Sequence, residues 1–316
     1  MLVRLRPNVI AITDGYHGCH GVVAILVRLY GLKVVPLDNL EAWDREGLGK
    51  GDVVHVETPL NPTGEALELA KYRKLASERG AYLTVDATFA PPPLQDPFAF
   101  GADVVMHSGT KYFGGHSDML CGVLATRDEH MWKRLWEERI YLGSVMGSLE
   151  GWLGVRSVRT LEIRIRNQSS NATNLVAWLY SCIGDSNLDV AATPPSDEEK
   201  ALVRRVVARL QHTSIQAIDP QKSSWVTAQM PNGYGPVFVV WTHEKEQARR
   251  LPSKLQLFHH ATSLGGVESL IEWRKMSDSG VDERVLRVSV GLEGWEDLKR
   301  DFLRGFKSVV ADLEGK

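Results

Sequence analysis

Cysteine is scarce in this chain, and so is any imbalance of charge. Cys19, Cys121 and Cys182 are odd in number and widely spaced, so they read as reduced thiols rather than a disulfide framework. A formal net charge of −2 gives no electrostatic reason to expect nucleic acid or an acidic membrane as partner. Long apolar runs are missing too: the longest are broken by Arg28 or Lys33, well short of the roughly 20 residues that span a bilayer. The opening Met1-Leu2-Val3-Arg4-Leu5-Arg6-Pro7 has no apolar core of the kind a signal peptide carries, so a cytoplasmic location is the expectation. His17, Cys19 and His20 lie close together, but no second cluster at ligand spacing completes a tetrahedral set, and no metal is expected. No internal repeat is visible.

What remains is an ordinary globular composition of 316 residues, enough for two domains or one large one. Over the first half, apolar runs of strand length alternate with helical patterns. Val9 to Thr13, Lys33 to Leu37, Asp52 to Val56, Ala81 to Val85 and Ala102 to Met106 read as strands. Helices are predicted from near Gly21 to Tyr30 and from Glu65 to Arg79, the βαβ rhythm of a mostly parallel sheet. A helix-rich stretch from His130 to Ile183 follows. Gly184 to Lys200 and Asp219 to Gly235 read as surface loops. Strands at Gly235 to Thr242 and Val285 to Gly291, with a last helix from Trp295 to Leu313, complete a smaller α/β unit. The expected division is a large domain at 1–167 and a small one at 168–316.

Three strands of the first unit end in polar residues, where open α/β sheets bind ligands. The first ends in Glu57-Thr58-Pro59-Leu60-Asn61-Pro62-Thr63-Gly64, the second in Asp86-Ala87-Thr88, and the third in His107-Ser108-Gly109-Thr110-Lys111-Tyr112. An isolated lysine is usually solvated and exposed. An acid on one strand and a lysine on the next match pyridoxal phosphate (PLP) chemistry, in which a carboxylate keeps the pyridine nitrogen protonated and a lysine carries the cofactor covalently. In order, E-x-P-x-N-P-T-G, V-D-x-T-F-x-x-P and H-S-x-T-K-Y-x-x-G-H-S-D closely resemble the Cys/Met metabolism family of PLP enzymes, the cystathionine γ-synthase and γ-lyase group. The similarity runs from about Tyr16 to the C-terminus.

The resemblance implies the aspartate aminotransferase-like fold of PLP-dependent transferases (fold type I), with pyridoxal 5′-phosphate as cofactor. Lys111 would carry the cofactor and move protons, Asp86 would face the pyridine nitrogen, and Tyr16 would stack on the ring. Thr88 would pack beside the ring, and Ser108 and Thr110 would offer hydroxyls to the phosphate. Asn61 would lie by the cofactor and Glu57 toward the substrate. In the second unit, Ser263-Leu264-Gly265-Gly266-Val267-Glu268-Ser269-Leu270 resembles the segment whose first serine faces the substrate. Arg287, in Val285-Leu286-Arg287-Val288-Ser289, resembles the arginine that grips a substrate carboxylate through paired hydrogen bonds. Where the family has a His-Pro stretch, this chain has Glu272-Trp273-Arg274-Lys275-Met276.

The activity so implied is γ-replacement on an activated homoserine with a thiol. Elimination by a γ-lyase and a homocysteine-forming O-acetylhomoserine sulfhydrylase reaction are the alternatives, since small pocket differences shift such choices by only about 1 to 3 kcal/mol. A homodimer or homotetramer acting on a small amino acid is expected. Family members carry a longer segment before the position of Tyr16, with a Tyr-x-Arg arm and a Ser-Gly-Met-type loop for the phosphate. Only fifteen residues precede Tyr16 here. A noncatalytic homologue serving as a binding or oligomer-partner subunit is the contrasting expectation.

Overall fold

Strands β1 (Val9–Ile12), β3 (Val53–Glu57) and β4 (Tyr82–Asp86) carry side chains that are almost all buried, because both faces of the sheet they share are covered. In the computed structural model, which describes residues 1–184 and 194–315, they belong to a six-stranded sheet of order β2-β1-β3-β4-β5-β6. Here β2 is Lys33–Pro36, β5 is Val104–Ser108 and β6 is Gly122–Ala125. All neighbours are parallel except β6, which runs antiparallel to β5. Helices α1 (Leu2–Leu5), α2 (His17–Tyr30), α3 (Leu40–Glu46) and α4 (Leu69–Arg79) accompany this sheet.

Helices α5 (Glu129–Tyr141), α6 (Ser148–Val158) and α7 (Leu161–Ile183) lead to a second sheet. Its order is β7-β8-β11-β10-β9, with β7 at Val207–Gln211, β8 at Val237–Thr242, β9 at His259–His260, β10 at Leu270–Trp273 and β11 at Val285–Ser289. Only β9 and β10 pair in parallel. The remaining helices are α8 (Asp197–Val206), α9 (Thr213–Gln216), α10 (Ser223–Gln229), α11 (Lys245–Arg250) and α12 (Trp295–Glu314). On α12, Leu298, Phe302, Phe306 and Val309 recur at helical spacing and are buried against the second sheet. The Phe302 ring lies 4.6 Å from Phe258 and 5.5 Å from Phe306.

The elements differ from the sequence reading in instructive places. Residues 185–193, within the expected loop Gly184 to Lys200, lie outside the described residues. Its end is helical: Ser196 and Glu199 form a reciprocal capping box that starts α8. The expected loop Asp219 to Gly235 contains α10, whose Val226 and Gln229 are buried. The helix expected from Glu65 begins only at Leu69, because Glu65 pairs with Leu60 in an isolated bridge. Asn167 lies inside α7.

Helix α7 does more than connect. Buried Arg164 donates from Nη1 to the carbonyl of Tyr112 at 2.8 Å, while Gln168 donates to Gly266 and Asn171 to the carbonyl of Glu293. One rigid helix therefore holds both the Lys111 loop and the Gly265-Gly266 turn.

Candidate active site

The strand order reverses between β1 and β3, and ligands in such sheets bind outside the carboxyl ends at that switch. Tyr16 follows the end of β1, Glu57 ends β3, Asp86 ends β4 and Ser108 ends β5. Parallel pairing sets Glu57 directly beside Asp86. These two carboxylates are 6% and 4% exposed, and neither has a cationic partner among the described residues. Glu57 accepts the backbone N–H of Tyr16 at 2.7 Å and of Asn61 at 2.8 Å. Gly15 makes that approach possible, since a Cβ there would lie 2.0 Å from a Glu57 oxygen.

Burial first, and then the Asp86 charge, pushes the Glu57 carboxyl up to about 8. Burial also raises Asp86, and it lifts the nearby Cys19 thiol to about 12 with help from both acids. The pair thus lacks positive charge, and a cation or a proton satisfies it. Between the ordinary glutamate value and about 8, folded Glu57 holds a proton that the unfolded chain has released. Its contribution is fully present below the ordinary value and is lost as pH rises through that interval. Urea unfolding of the cofactor-free chain is therefore expected to show the stability of wild type falling relative to that of Glu57→Gln from about pH 5 to about pH 8. A stability difference between the two proteins that does not change with pH would rule the explanation out.

Thr88 fastens β4 to β5. Its N–H and Oγ1–H both donate to Asp86 Oδ1, at 2.9 and 2.6 Å, while its Oγ1 accepts the N–H of Ser108 at 2.9 Å. Thr88→Val takes one of two donors from Asp86 Oδ1 and leaves the Ser108 N–H unpaired beside the cavity. It is expected to cost about 1–3 kcal/mol in chemical denaturation; a change within experimental error would show that the hydroxyl is dispensable.

Lys111 donates from Nζ to Ser263 Oγ at 3.0 Å, linking the two sheets' loops. Burial, then the Arg287 charge, lowers its pKa, which raises the fraction of neutral amine. Gly265 has φ +85°, and a Cβ there would sit 2.9 Å from Lys111 Cβ, so glycine serves both backbone and space. Thr110 is not brought into the cavity: its hydroxyl bonds to the backbone of Cys121, accepting N–H at 3.1 Å.

Arg287 is 4% exposed. Nη1 donates to Asn61 Oδ1 at 3.0 Å, and Nη2 donates to the carbonyls of Thr262 and Ser263. Nη2 also pairs with Glu272 at 2.7 Å, the residue opposite it across β10 and β11. Burial lowers the guanidinium to about 10 while Glu272 opposes that shift.

The cavity, about 480 Å³, is lined by Tyr16, Glu57, Asn61, Asp86, Thr88, Ser108, Lys111, Ser263 and Arg287. Nine of the ten candidates thus converge, contributed by both sheets and their loops. Tyr16 is 43% exposed, its ring 4.7 Å from that of His17. Phe89, Met106, Glu272 and Arg274 also line the space without having been singled out as site residues. Only the departure from the His-Pro stretch pointed toward the last two. Among the described residues no His, Cys, Asp or Glu cluster is built to hold a metal ion, and no helix is long and apolar enough to cross a membrane.

An electron-sink cofactor with a cationic ring nitrogen and an aldehyde fits this donor set: a buried acid pair short of a cation, facing a cavity that also holds a half-buried amine. Comparison with known proteins agrees. Residues 1–307 match the family described as Cys/Met metabolism PLP-dependent enzyme. The chain is 34% identical over 325 residues to cystathionine gamma-synthase of Escherichia coli (strain K12), an alignment covering 97% of this chain and 77% of that enzyme. It is 27% identical to a cystathionine beta-lyase of Bacillus subtilis (strain 168), with 98% and 76% covered. The solved structure of cystathionine gamma synthase from Xanthomonas oryzae pv. oryzae, in complex with aminoacrylate and cysteine, is similar with a TM-score of 0.80 at 27% identity, covering 96% and 76%.

Proposed function

The chain belongs to the Cys/Met metabolism PLP-dependent enzyme family, whose cofactor is pyridoxal phosphate, and from that premise we propose that it catalyses γ-replacement on an activated homoserine with a thiol. Transsulfuration chemistry is common to the relatives; the choice of γ-replacement rests on the identity with the Escherichia coli gamma-synthase. The observation that carries the reading is the convergence of the uncompensated Asp86–Glu57 pair, the amine of Lys111 and buried Arg287 on one cavity.

In this reading Asp86 would face the ring nitrogen, Tyr16 would cover the ring, Thr88 and Asn61 would flank it, and Ser108 would serve the phosphate, while Thr110 is held aside by the backbone of Cys121. Bound pyridoxal phosphate supplies an electron sink for negative charge developing on the amino acid's α-carbon. Arg287 holds the substrate carboxylate through the Nη1 hydrogen that Asn61 leaves free, which fixes the α-carbon near Lys111. Neutral Lys111 takes the α-proton, gives it up, and once neutral again takes a β-proton, with Ser263 holding its amine in place. The leaving group departs from the γ-carbon with its bonding electrons, the thiol loses its proton and adds there, and Lys111 then returns protons to the β- and α-carbons. Glu57 keeps the loops of Tyr16 and Asn61 at the site through their N–H groups.

The same reading assigns residues 1–167 to a cofactor-binding domain and 168–316 to a small domain, in a cytoplasmic homodimer or homotetramer. The direct test supplies pyridoxal phosphate, an O-acylhomoserine and cysteine and follows products by mass spectrometry. Cystathionine formed only with all three supports γ-replacement; 2-oxobutyrate formed without a thiol would show elimination instead.

A further inference from the structure

Helix α7 turns a polar face to the loops of the site. Arg164, Gln168 and Asn171 follow one another at spacings of four and three, so they form one stripe along the helix. They are 4%, 0% and 7% exposed, where apolar side chains of similar size would pack as well. Each donates to a loop carbonyl: Arg164 Nη1 to Tyr112 at 2.8 Å, Gln168 Nε2 to Gly266 at 2.6 Å and Asn171 Nδ2 to Glu293 at 2.8 Å. None of these carbonyls accepts a backbone N–H among the described residues, so the stripe supplies donors that the loops' own turns do not. Packing accounts least for Arg164. Its guanidinium is buried with no acidic side chain beside it among the described residues, and it serves oxygens only: the carbonyls of Tyr112 and Ser157 and the hydroxyl of Thr160. Gly115, at φ +70°, closes over it, since a Cβ there would lie 2.0 Å from Nη1.

The atoms held by the stripe indicate its role. Tyr112 follows Lys111 in the chain, and its ring is buried in one apolar cluster with Leu264 and Ile165. Gly266 stands three residues after Ser263, the hydrogen-bond partner of Lys111. Gln168 also reaches the carbonyl of Val290 at 3.3 Å, three residues after Arg287. One end of the stripe therefore grips the loop of the amine, and the middle grips the segments of Ser263 and Arg287. An apolar stripe would cover the same loops but leave them free to slide along the helix. We propose that Arg164 and Gln168 are positioning residues, supported by Asn171: Arg164 fixes Lys111, Gln168 fixes Ser263 and Arg287, and one helix thereby sets the distance from amine to carboxylate clamp. This rests on the proposed chemistry at Lys111 and deepens it, because a misplacement of about 1 Å can cost a reaction 10²-fold.

Each end has its own readout. Acetic anhydride labelling of the cofactor-free chain across pH, resolved by peptide, gives the midpoint at which Lys111 becomes a neutral amine. Calorimetry with O-acetylhomoserine on the same chain reports the Arg287 end. Arg164→Met is expected to move the Lys111 midpoint to higher pH, because a loosened loop hydrates the amine and favours its charged form. On the loaded enzyme it should lower kcat about 10-fold or more, with KM within about twofold of wild type. Arg164→Lys keeps a charge that reaches one carbonyl, so it should restore part of both effects; if the methionine variant does not fold, it carries the comparison with wild type. Gln168→Met should weaken O-acetylhomoserine about 5-fold or more and leave the Lys111 midpoint in place. Leu175→Ala, in the apolar core under the same helix, is the control: it lowers the urea midpoint and should move none of the other values. Arg164 and Gln168 variants that lose stability alone, or a Leu175→Ala that reproduces their effects, overturn the inference. Failure of the underlying reading shows separately, as no cofactor fixed on Lys111 of the wild type by borohydride.

Discussion

Lys111→Ala is expected to abolish covalent capture of pyridoxal phosphate while leaving the fold in place. Wild-type chain incubated with the cofactor and reduced with borohydride should carry the added mass on the peptide containing Lys111 alone. The variant should carry none. The fold survives because Lys111 makes one side-chain hydrogen bond among the described residues, to Ser263, and is not part of any of the apolar cores. Turnover should fall by at least about 10⁴-fold, since the same amine is proposed both to hold the cofactor and to move protons, and proton transfer by a positioned group alone is worth 10²–10⁴. Equal labelling of the variant, or labelling at a different lysine in the wild type, would refute the assignment. The lowered pKa of Lys111 makes the amine reactive nearer neutrality than an exposed lysine, so labelling should outpace that of surface lysines as pH is reduced toward 7.

Arg287→Met carries the second large effect, and it is an effect on both stability and binding. Removing one member of a buried ion pair strands the other, at a typical cost of about 3–5 kcal/mol. Here Glu272 retains Arg274 and Ser277, so the low end of that range is expected. Asn61 and the carbonyls of Thr262 and Ser263 lose their donor as well. Amino acid affinity should fall by about 10²-fold or more, because the carboxylate loses its charged partner. The double variant Arg287→Met with Glu272→Gln separates the two: the amide oxygen still accepts from Arg274 and Ser277, so stability should stay near that of Arg287→Met and carboxylate binding should not return. Chemical denaturation and calorimetric titration of wild type, the two single variants and the double variant measure both quantities. Recovery of binding in the double variant would show that Arg287 is structural and no clamp.

Much of the scaffold was legible along the chain. Buried parallel strands announce themselves as apolar runs, and β1, β3, β4 and β5 stand within a residue or two of where those runs lie. The motifs around Glu57, Asp86, Lys111, Ser263 and Arg287 identified the family because chemistry restricts which residues follow those strands. Helices stabilised by caps or by a few buried side chains were harder to see. The Ser196 capping box and the short amphipathic α10 were hidden in polar, loop-like composition.

The amino-acid sequence by itself determined which strands form and which residue types stand at their ends, because local periodicity and turn chemistry act over a few neighbours. Only the tertiary structure decided how those residues pair. In-register β3 and β4 bring Glu57 against Asp86 and create a carboxylate pair short of a cation. Antiparallel β10 and β11 set Glu272 opposite Arg287, turning an expected free clamp into a shared ion pair. Cys121 draws Thr110 aside, and Asn61 reaches Arg287 across 226 residues of chain. Such contacts depend on register and on the packing of α7 against both loops, and no local pattern encodes a distance set by elements so far apart.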